Sequence, residues 1–576
     1  APGSIDGLLK KGILEIIEIE TGRLADIDNP AEPLKQLTGE QETALRELKK
    51  IFSDRETVLL HGVTSSGKTE IYIHLIEEQL KMGKQVLYLL PEIALTTQII
   101  QRLQKHFGPV TGIYHSRFSN AERVEIWNRV GRQNGAKEYN LIIGARSALF
   151  LPFSNLGLII VDEEHDGSYK QHDPAPRYNA RDSAIVLAGF HKAKTVLGSA
   201  SPSIETYNNA ITGKYGLVEL RERYGSVKLP GIILADTREA YRKKLMVSHF
   251  TPQLLEAIDG ALANNEQVVL FQNRRGFSPY LECPECGWIP KCVQCAVSLT
   301  YHKGITRMVC HYCGYSSPIP SQCGNCGSPG LQTRGFGTEK IEDEIKIVFP
   351  SARVARMDQD TTRGKNSFER IIRAMEDGQT DILIGTQMIS KGLDIENLTV
   401  VGILNADNLL NYPDFRAHER SFQLMEQVSG RAGRRTKTGK VVIQTSDPGN
   451  KMIRLVLNHD YRNMFRIQMD ERKAFNYPPF CRMIRISVKH RDRSLLNSYS
   501  EILARDLKSE FGKRILGPEF APVSQVQLWY IKNILVKLER EKPAAQAKIY
   551  ISGAIERLLR EKGASALRIA VDVDPY

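Results

Sequence analysis

The stretch at residues 57–69, TVLLHGVTSSGKT, limits the possible folds of this chain more than any other. An apolar run leads into a glycine-rich loop, and the residues that follow have the periodicity of a helix over 69–81. This order is typical of loops whose backbone N–H groups surround a phosphate, so we expect Lys68 to contact the outer phosphates of a nucleotide and Thr69 to hold Mg²⁺. The other loop residues expected around the nucleotide are Gly62, Val63, Thr64, Ser65, Ser66 and Gly67. A glycine-rich turn without a ligand is the alternative.

Apolar runs alternate with helical periods in two series. The first series has runs at 85–91, 112–116, 141–145, 156–165 and 194–203, and the second starts at 267–276. Strand and helix in turn predict a parallel sheet covered on both faces. The sequence therefore predicts an α/β fold with two lobes of similar architecture.

The C-terminal part has a different pattern, which predicts two strand–helix–strand units as in split βαβ folds. The predicted strands are 481–490, 523–538 and 567–574, with a short strand near 513–516, and the predicted helices are 494–511 and 543–562. We therefore expect an α+β domain at this end of the chain.

Two charged motifs have the residue types of nucleotide hydrolysis. The apolar strand at 156–165 ends in DEEH, where Asp162 would hold Mg²⁺ and Glu163 would polarise the attacking water. Arg431 and Arg434 in QVSGRAGR would lie on one face of a helix, as arginine fingers that stabilise charge on the transferred phosphoryl group. A solvent-exposed acidic strand end and a basic surface turn are the alternatives.

Eight of the nine cysteines form four Cys-x-x-Cys pairs in one window. They are Cys283, Cys286, Cys292, Cys295, Cys310, Cys313, Cys323 and Cys326. Two residues between thiolates let both reach one tetrahedral ion, so the window predicts two closed structural Zn²⁺ sites; spacing leaves the combination of pairs open. An iron–sulfur cluster is the alternative. Cys481 lies in an apolar strand and is expected to be a small core residue.

Length, charge and composition add further expectations. A chain of 576 residues exceeds one hydrophobic core, and its formal net charge of +12 favours a nucleic-acid partner. No apolar run approaches the roughly 20 residues of a membrane helix, and clustered cysteines favour metal binding in a reducing cytoplasm. Because the sequence begins APGSIDGLLKKG, without Met or a signal peptide, we expect a fragment or a processed form.

Six motifs occur in the order and spacing of superfamily two helicases: GVTSSGKT, LLPEIALTTQ, DEEH, GSASPS, GTQMISKGLD and QVSGRAGR. With the paired-cysteine insertion, the chain from about residue 36 onwards resembles the PriA (primosomal protein N′) family of replication-restart helicases. The resemblance implies two RecA-like lobes, a small two-zinc insertion in the second lobe and a C-terminal α+β domain. It also implies nested cysteine pairs, with Cys283, Cys286, Cys323 and Cys326 on one ion and the inner pairs on the other.

The resemblance also implies roles for single residues. Gln41 is similar to the adenine-reading glutamine and His165 to the residue that couples hydrolysis to movement. Gly392 and Asp394 match a segment that contacts nucleotide and DNA, and Gln427 matches the nucleotide-sensing end of the second lobe. The stretch 166–182 is similar to an aromatic-rich loop that responds to single-stranded DNA through Tyr169, Lys170, Arg177 and Tyr178. For Tyr178, packing in the lobe core is the alternative.

The expected domain boundaries follow the motifs. They are a winged-helix remnant and linker at 1–35, the ATP-binding lobe at 36–235, the second lobe at 236–279 and 334–449, the zinc insertion at 280–333, and a DNA- and partner-binding domain at 450–576. Because only a remnant of the winged helix is expected, fork-specific recognition is in doubt.

The implied function is an ATP-dependent 3′-to-5′ DNA helicase that unwinds stalled forks and directs primosome assembly. Its expected cofactors are ATP, Mg²⁺ and two Zn²⁺, and its expected partners are single-stranded and forked DNA, single-strand DNA-binding protein and other primosome proteins. We expect a monomer in the bacterial cytoplasm, at the nucleoid. A DNA-loading platform with incidental ATP turnover and an RNA helicase are the alternatives.

Overall fold

The computed structural model describes residues 32–575, apart from 92–96, 116–117, 132–137, 224–229, 273–279, 296, 303–306, 311–312, 330, 334–337, 359–360, 363, 365–366, 390–394 and 434–438. The predicted winged-helix remnant falls almost wholly on residues 1–31, outside the described residues. The predicted fold class is confirmed: two parallel sheets, a cysteine-rich insertion in the second, and a C-terminal antiparallel sheet with helices.

The first lobe is a seven-stranded sheet in the order β3-β4-β2-β5-β6-β1-β7, with all neighbours parallel. Its strands are β1 (Thr57–Gly62), β2 (Gln85–Leu89), β3 (Thr111–Tyr114), β4 (Leu141–Gly144), β5 (Leu156–Asp162), β6 (Lys194–Ser199) and β7 (Gly216–Leu220). Its helices are α1 (Gly39–Ile51), α2 (Lys68–Lys81), α3 (Thr97–Phe107), α4 (Asn120–Val130), α5 (Ala180–His191) and α6 (Ile204–Ile211). Leu59 and Leu60 of β1 are both fully buried, in clusters on opposite faces of the sheet, as a doubly covered parallel sheet requires.

The second lobe is a six-stranded parallel sheet in the order β15-β16-β9-β17-β18-β8. Its strands are β8 (Gly231–Asp236), β9 (Gln267–Phe271), β15 (Val354–Met357), β16 (Ile382–Gly385), β17 (Leu398–Ile403) and β18 (Lys440–Thr445). Its helices are α7 (Thr237–Arg242), α8 (Pro252–Ala263), α9 (Thr338–Val348), α10 (Ser367–Glu376), α11 (Asp407–Leu410), α12 (Ala417–Ser429) and α13 (Lys451–Leu457), followed by α14 (Tyr461–Ala474). Because β8 pairs with β18, the expected boundary between 235 and 236 is wrong, and the second lobe already includes residue 231.

The insertion between β9 and α9 is built from short antiparallel strands. The strands β10 (Leu281–Glu282) and β14 (Gln332–Thr333) pair at its base, and β11 (Thr300–His302), β12 (Arg307–Val309) and β13 (Ser316–Pro318) form a small sheet. Both ends of the insertion therefore leave the second lobe side by side.

The C-terminal domain has four antiparallel strands in the order β20-β21-β19-β22. Its elements are β19 (Cys481–His490), α15 (Arg493–Phe511), β20 (Ile515–Val526), β21 (Trp529–Glu539), α16 (Ala544–Leu559) and β22 (Arg568–Val573). This confirms two strand–helix–strand units, but the single strand expected at 523–538 is wrong. The chain reverses there, with Gln527 and Leu528 at φ 48° and 66°, so β20 and β21 form a hairpin.

Among the residues that the structure describes, no helix combines the length and apolar character needed to cross a membrane.

Candidate active site between the two lobes

The glycine-rich loop connects β1 to α2 as the sequence predicts. Lys68 Nζ donates to the carbonyl oxygen of Gly62 at 2.8 Å, so the ammonium group folds over the loop. Gly67 has φ +83°, and a Cβ there would collide with the side-chain amide of Gln41. Gln41 is buried; its Oε1 accepts from Thr38 N at 2.9 Å and its Nε2 donates to Ser66 O at 3.3 Å. Gln41 therefore contacts the loop, and its adenine-reading role stays a prediction.

Asp162 ends β5 at the carboxyl edge of the sheet. Its two carboxylate oxygens accept hydrogen bonds from the hydroxyls of Tyr72 and Tyr88, each at 3.2 Å. Burial and the charge of Glu163 raise the pKa of Asp162 to about 6, although Lys68 acts in the opposite direction. The lysine of the loop and the two acids thus lie within electrostatic range of one another.

The backbone turns sharply after Asp162. Glu163 has φ 48°, a conformation that non-glycine residues rarely adopt and that often marks functional sites. His165 Nδ1 lies 2.8 Å from Ser199 Oγ at the end of β6 and 3.6 Å from Glu163 Oε2. Ser199 Oγ also accepts from Ser201 N at 3.0 Å. His165 therefore joins the DEEH turn to the GSASPS segment.

The second lobe reaches the glycine-rich loop through the end of α12. A Cβ added at Gly430 would lie 2.6 Å from Thr64 Cγ2, so the Thr64 side chain packs closely against the backbone of Gly430. Gln427 lies in the last turn of α12 and Arg431 follows Gly430 directly, so both are close to this contact along the chain. Thr64 and Gly430 also line a cavity of about 330 Å³ between the lobes. Arg434, Gly392 and Asp394 lie outside the described residues.

Two residues of the aromatic-rich loop, Tyr169 and Lys170, are buried in this conformation, whereas residues 172–176 are exposed. Tyr169 is 1% exposed, and its hydroxyl bonds to Asp162 O at 2.6 Å. Lys170 is 3% exposed; its Nζ lies 2.8 Å from both Val573 O and Asp572 Oδ1 of the C-terminal domain. Tyr178 packs edge-to-face on Phe150, with ring centroids 5.1 Å apart. The structure therefore does not present Tyr169 and Lys170 to solvent, whereas Tyr178 is half-buried against the core of the first lobe.

The eight paired cysteines form two groups of four, with ligand atoms within 4.8 Å of one another. One group is Cys283, Cys286, Cys323 and Cys326, and the other is Cys292, Cys295, Cys310 and Cys313. The Sγ atoms of Cys286 and Cys323 are 3.3 Å apart, and those of Cys283 and Cys326 are 3.7 Å apart. Thiolates around one Zn²⁺ at about 2.3 Å would be about 3.8 Å apart, so the groups fit tetrahedral zinc. The grouping is the nested one that the resemblance implied.

Four residues near the site were not predicted from the sequence: Glu164, Arg181, Ser203 and Thr206. Their side chains form a buried cluster directly behind the DEEH turn. The only local signal was the third acid of DEEH, whose partners are about 20 to 40 residues away in the chain.

Four family models match the chain. They are the DEAD/DEAH box helicase over residues 38–210, the helicase conserved C-terminal domain over 336–436, the PriA DNA helicase Cys-rich region over 292–318, and the primosomal protein N C-terminal domain over 473–576. The replication restart protein PriA of Bacillus subtilis is 41% identical across 100% of this chain and 71% of that protein. The replication restart protein PriA of Haemophilus influenzae is 39% identical across 99% of this chain and 77% of that protein. The chain belongs to the PriA family.

Family membership accounts for the architecture as a whole. Both lobes of the PriA-family chain are helicase domains, so the chain is a DNA helicase and ATPase, and its cysteine groups are the zinc sites of the PriA Cys-rich region. RecG bound to a three-way DNA junction aligns with 82% of this chain at TM-score 0.44 and 15% identity, a likeness too distant to bear on function.

Proposed function

We propose that this PriA-family chain unwinds DNA at stalled forks with 3′-to-5′ polarity and directs primosome assembly there. The observation that carries the proposal is the close approach of Gly430 to Thr64, because it brings α12 of the second lobe onto the loop that carries Lys68. A nucleotide bound at that loop would contact both lobes. Its binding and hydrolysis would then close and open the cleft, which moves the lobes along single-stranded DNA.

The residue roles follow from this arrangement. Lys68 would bind the outer phosphates, and Glu163 would orient the attacking water from its strained position. Arg431 and Arg434 would stabilise the charge that develops on the transferred phosphoryl group, with Gln427 sensing the nucleotide. Gln41, Gly392 and Asp394 keep their proposed contacts with the nucleotide.

Mg²⁺ fits the oxygen donors that the first lobe provides. Asp162 ends its strand as a carboxylate with two tyrosine hydroxyls as supports, and Thr69 lies in the first turn of α2. Hard oxygen ligands of this kind suit Mg²⁺, so Asp162 and Thr69 would hold it. When bound, the ion neutralises charge on the β- and γ-phosphates.

The proposed partners are single-stranded and forked DNA, single-strand DNA-binding protein and other primosome proteins. We propose that the chain acts as a monomer, in the bacterial cytoplasm at the nucleoid. The net charge of +12 supports a nucleic-acid partner, and Arg177, with Tyr178, is the part of the aromatic-rich loop best placed to follow DNA. Tyr169 and Lys170 would first need to leave their buried positions.

The test combines ATP hydrolysis with unwinding. Phosphate release is measured with forked, single-stranded and duplex DNA and with RNA, and unwinding is measured on duplexes that carry a 3′ or a 5′ single-stranded tail. We expect forked DNA to stimulate hydrolysis most, RNA to stimulate it least, and the 3′-tailed duplex to be unwound when ATP is present.

Lys68→Ala should reduce DNA-stimulated hydrolysis by at least about 100-fold because it removes a charge from the phosphate site. Lys81→Ala is the matched control, since Lys81 is 70% exposed and pairs only with Glu77 in the described residues. Retained hydrolysis in Lys68→Ala would refute the site. Unwinding of only the 5′-tailed duplex would refute the polarity.

A further inference from the structure

Glu164, the third residue of DEEH, is a fully buried carboxylate: its side chain has no exposed surface. Its oxygens accept from Ser203 N at 2.7 Å, from Thr206 Oγ1 at 2.8 Å and from Arg181 Nη1 at 3.0 Å, and lie 3.1 Å from Ser203 Oγ. A buried carboxylate is costly unless its oxygens are satisfied, so this set of bonds holds the surrounding backbone in one position.

The segment 201–206 that Glu164 holds is also held by the second lobe. Gln423 Nε2 of α12 donates to Ser201 O and to Pro202 O, each at 3.2 Å. Ile204 N donates to Glu419 Oε1 at 2.8 Å, and the Tyr461 hydroxyl donates to Pro202 O at 2.9 Å. A shift of α12 relative to the first lobe must therefore move this segment or break these bonds.

Arg181 brings a third element to the same point. It lies at the end of the aromatic-rich loop, in the first turn of α5, and its Nη1 donates both to Glu164 and to Ser203 Oγ, the latter at 2.8 Å. Glu164 thus meets the end of the aromatic-rich loop on one side and the segment held by the second lobe on the other. Its own backbone follows Asp162 and Glu163 directly.

We propose that Glu164 is a positioning residue that transmits movement of the second lobe, and of the aromatic-rich loop, to Asp162 and Glu163. This inference rests on the proposed ATP-driven function and deepens it. When DNA shifts either element, the hydrogen bonds to Glu164 carry the shift to the turn at Glu163. The residue does not touch the reacting atoms, and its effect is on the orientation of the residues before it.

Thr206 offers a matched pair of substitutions that separates this role from simple packing. Thr206→Val keeps the shape of the side chain and removes its hydrogen bond to Glu164, whereas Thr206→Ser keeps the hydroxyl and removes a buried methyl group. We expect Thr206→Val to lower kcat of DNA-stimulated ATP hydrolysis by about 10-fold, with KM for ATP changed by less than about threefold. Thr206→Ser should stay within about twofold of wild type. The opposite order, with Thr206→Ser the weaker enzyme, would overturn the proposal.

A second pair of variants covers the case in which Thr206→Val is too unstable to assay. Ser203→Ala removes a different hydroxyl from the cluster, and Glu164→Gln removes the charge opposite Arg181. Both should lower DNA-stimulated kcat while the affinity for a fluorescent ATP analogue stays unchanged. Normal stimulated kcat in both variants would overturn the proposal.

Failure of the proposed ATP-driven function can be told apart from failure of the Glu164 inference by measuring the wild-type chain and Lys68→Ala in the same assay. If DNA stimulates wild-type hydrolysis and Lys68→Ala is inactive, the proposed function stands whatever the cluster variants show. If Lys68→Ala hydrolyses ATP normally, the proposed function fails and the inference about Glu164 fails with it.

Discussion

Asp162 in the first lobe and Asp407 in the second lobe occupy comparable places, yet their surroundings differ. Asp162 is the last residue of β5, and Asp407 begins α11 shortly after β17, so both lie at the carboxyl edge of a parallel sheet. Asp162 accepts long hydrogen bonds from two tyrosine hydroxyls and from Glu163 N, each at 3.2 Å, and lies near Lys68. Asp407 accepts from Thr445 Oγ1 at 2.6 Å and from Ser446 N at 2.7 Å, both in its own lobe.

Burial raises the pKa of both carboxyl groups, but the short hydrogen bonds to Asp407 act against that rise. Asp407 therefore has a structural role: its hydrogen bonds hold the end of β18 against α11. Asp162 keeps weaker bonds and a lysine neighbour, which suits a group that exchanges partners during a reaction. The position of an acid in a sheet thus does not decide its role; its partners do.

The largest expected effect is the loss of zinc from the cysteine-rich insertion of the second lobe, which should cost architecture rather than nucleotide binding. Metal analysis should find two zinc ions per chain, and Cys286→Ser should leave one, because a closed site does not tolerate the loss of a thiolate. Structural zinc contributes on the order of 10 kcal/mol to folding, so the insertion should become sensitive to proteolysis while nucleotide binding persists.

Cys481→Ser is the control, since Cys481 lies outside both groups. An iron absorbance band in protein purified without oxygen would contradict this expectation.

Glu163→Gln tests the first-lobe side of the comparison. It should lower DNA-stimulated kcat by about 100-fold or more, because the amide cannot take the proton of the attacking water. Binding of a fluorescent ATP analogue should persist. Asp407→Asn serves as the second-lobe control and should leave kcat per folded molecule unchanged. A normal rate in Glu163→Gln would assign the base to another residue.

Asp407→Asn should instead reduce stability. The amide nitrogen would face the donors of Thr445 and Ser446, which costs about 1–3 kcal/mol in the free energy of unfolding. Denaturant unfolding followed by circular dichroism measures the loss, with the exposed Asp377→Asn as its control. If the free energy of unfolding of Asp407→Asn is unchanged, Asp407 does not have the structural role that distinguishes it from Asp162.

The smallest expected effects come from removing one hydroxyl at each acid. Tyr72→Phe should lower kcat roughly fivefold by loosening Asp162, whereas Thr445→Val should cost about 1 kcal/mol of stability and leave kcat unchanged. Steady-state kinetics and denaturant unfolding on both variants give the comparison. If the two variants exchange these effects, the assigned roles are wrong.

Local motifs were predictable because their residues are close in the chain. The strand, loop and helix around Lys68 were correct, since glycine spacing and helix periodicity are short-range properties. The hairpin of β20 and β21 was missed because its turn, at Gln527 and Leu528, contains neither glycine nor asparagine. The edge strand β8 was assigned to the wrong lobe because pairing with β18 joins residues about 200 positions apart.

The candidate site was likewise predictable only where it depends on residues close together in the chain. The Cys-x-x-Cys pairs were evident, but spacing left their grouping open, and only the folded insertion brings Cys286 beside Cys323. Tyr169 and Lys170 were expected to respond to DNA, and their burial depends on contacts with β5 and β22 that no pattern near residue 170 reveals.

By itself, the sequence determined which chemistry this chain possesses: a lysine in a phosphate-binding loop, acids at a strand end, arginines and eight paired thiols. These depend on residue type and on spacings of a few positions. Only the tertiary structure decided that Asp162 lies near Lys68 and that Asp407 is hydrogen-bonded within its own lobe. It also decided how Glu164 is connected to the second lobe. Those choices rest on contacts such as Ile204 with Glu419, 215 positions apart, because the packing of the two lobes sets them.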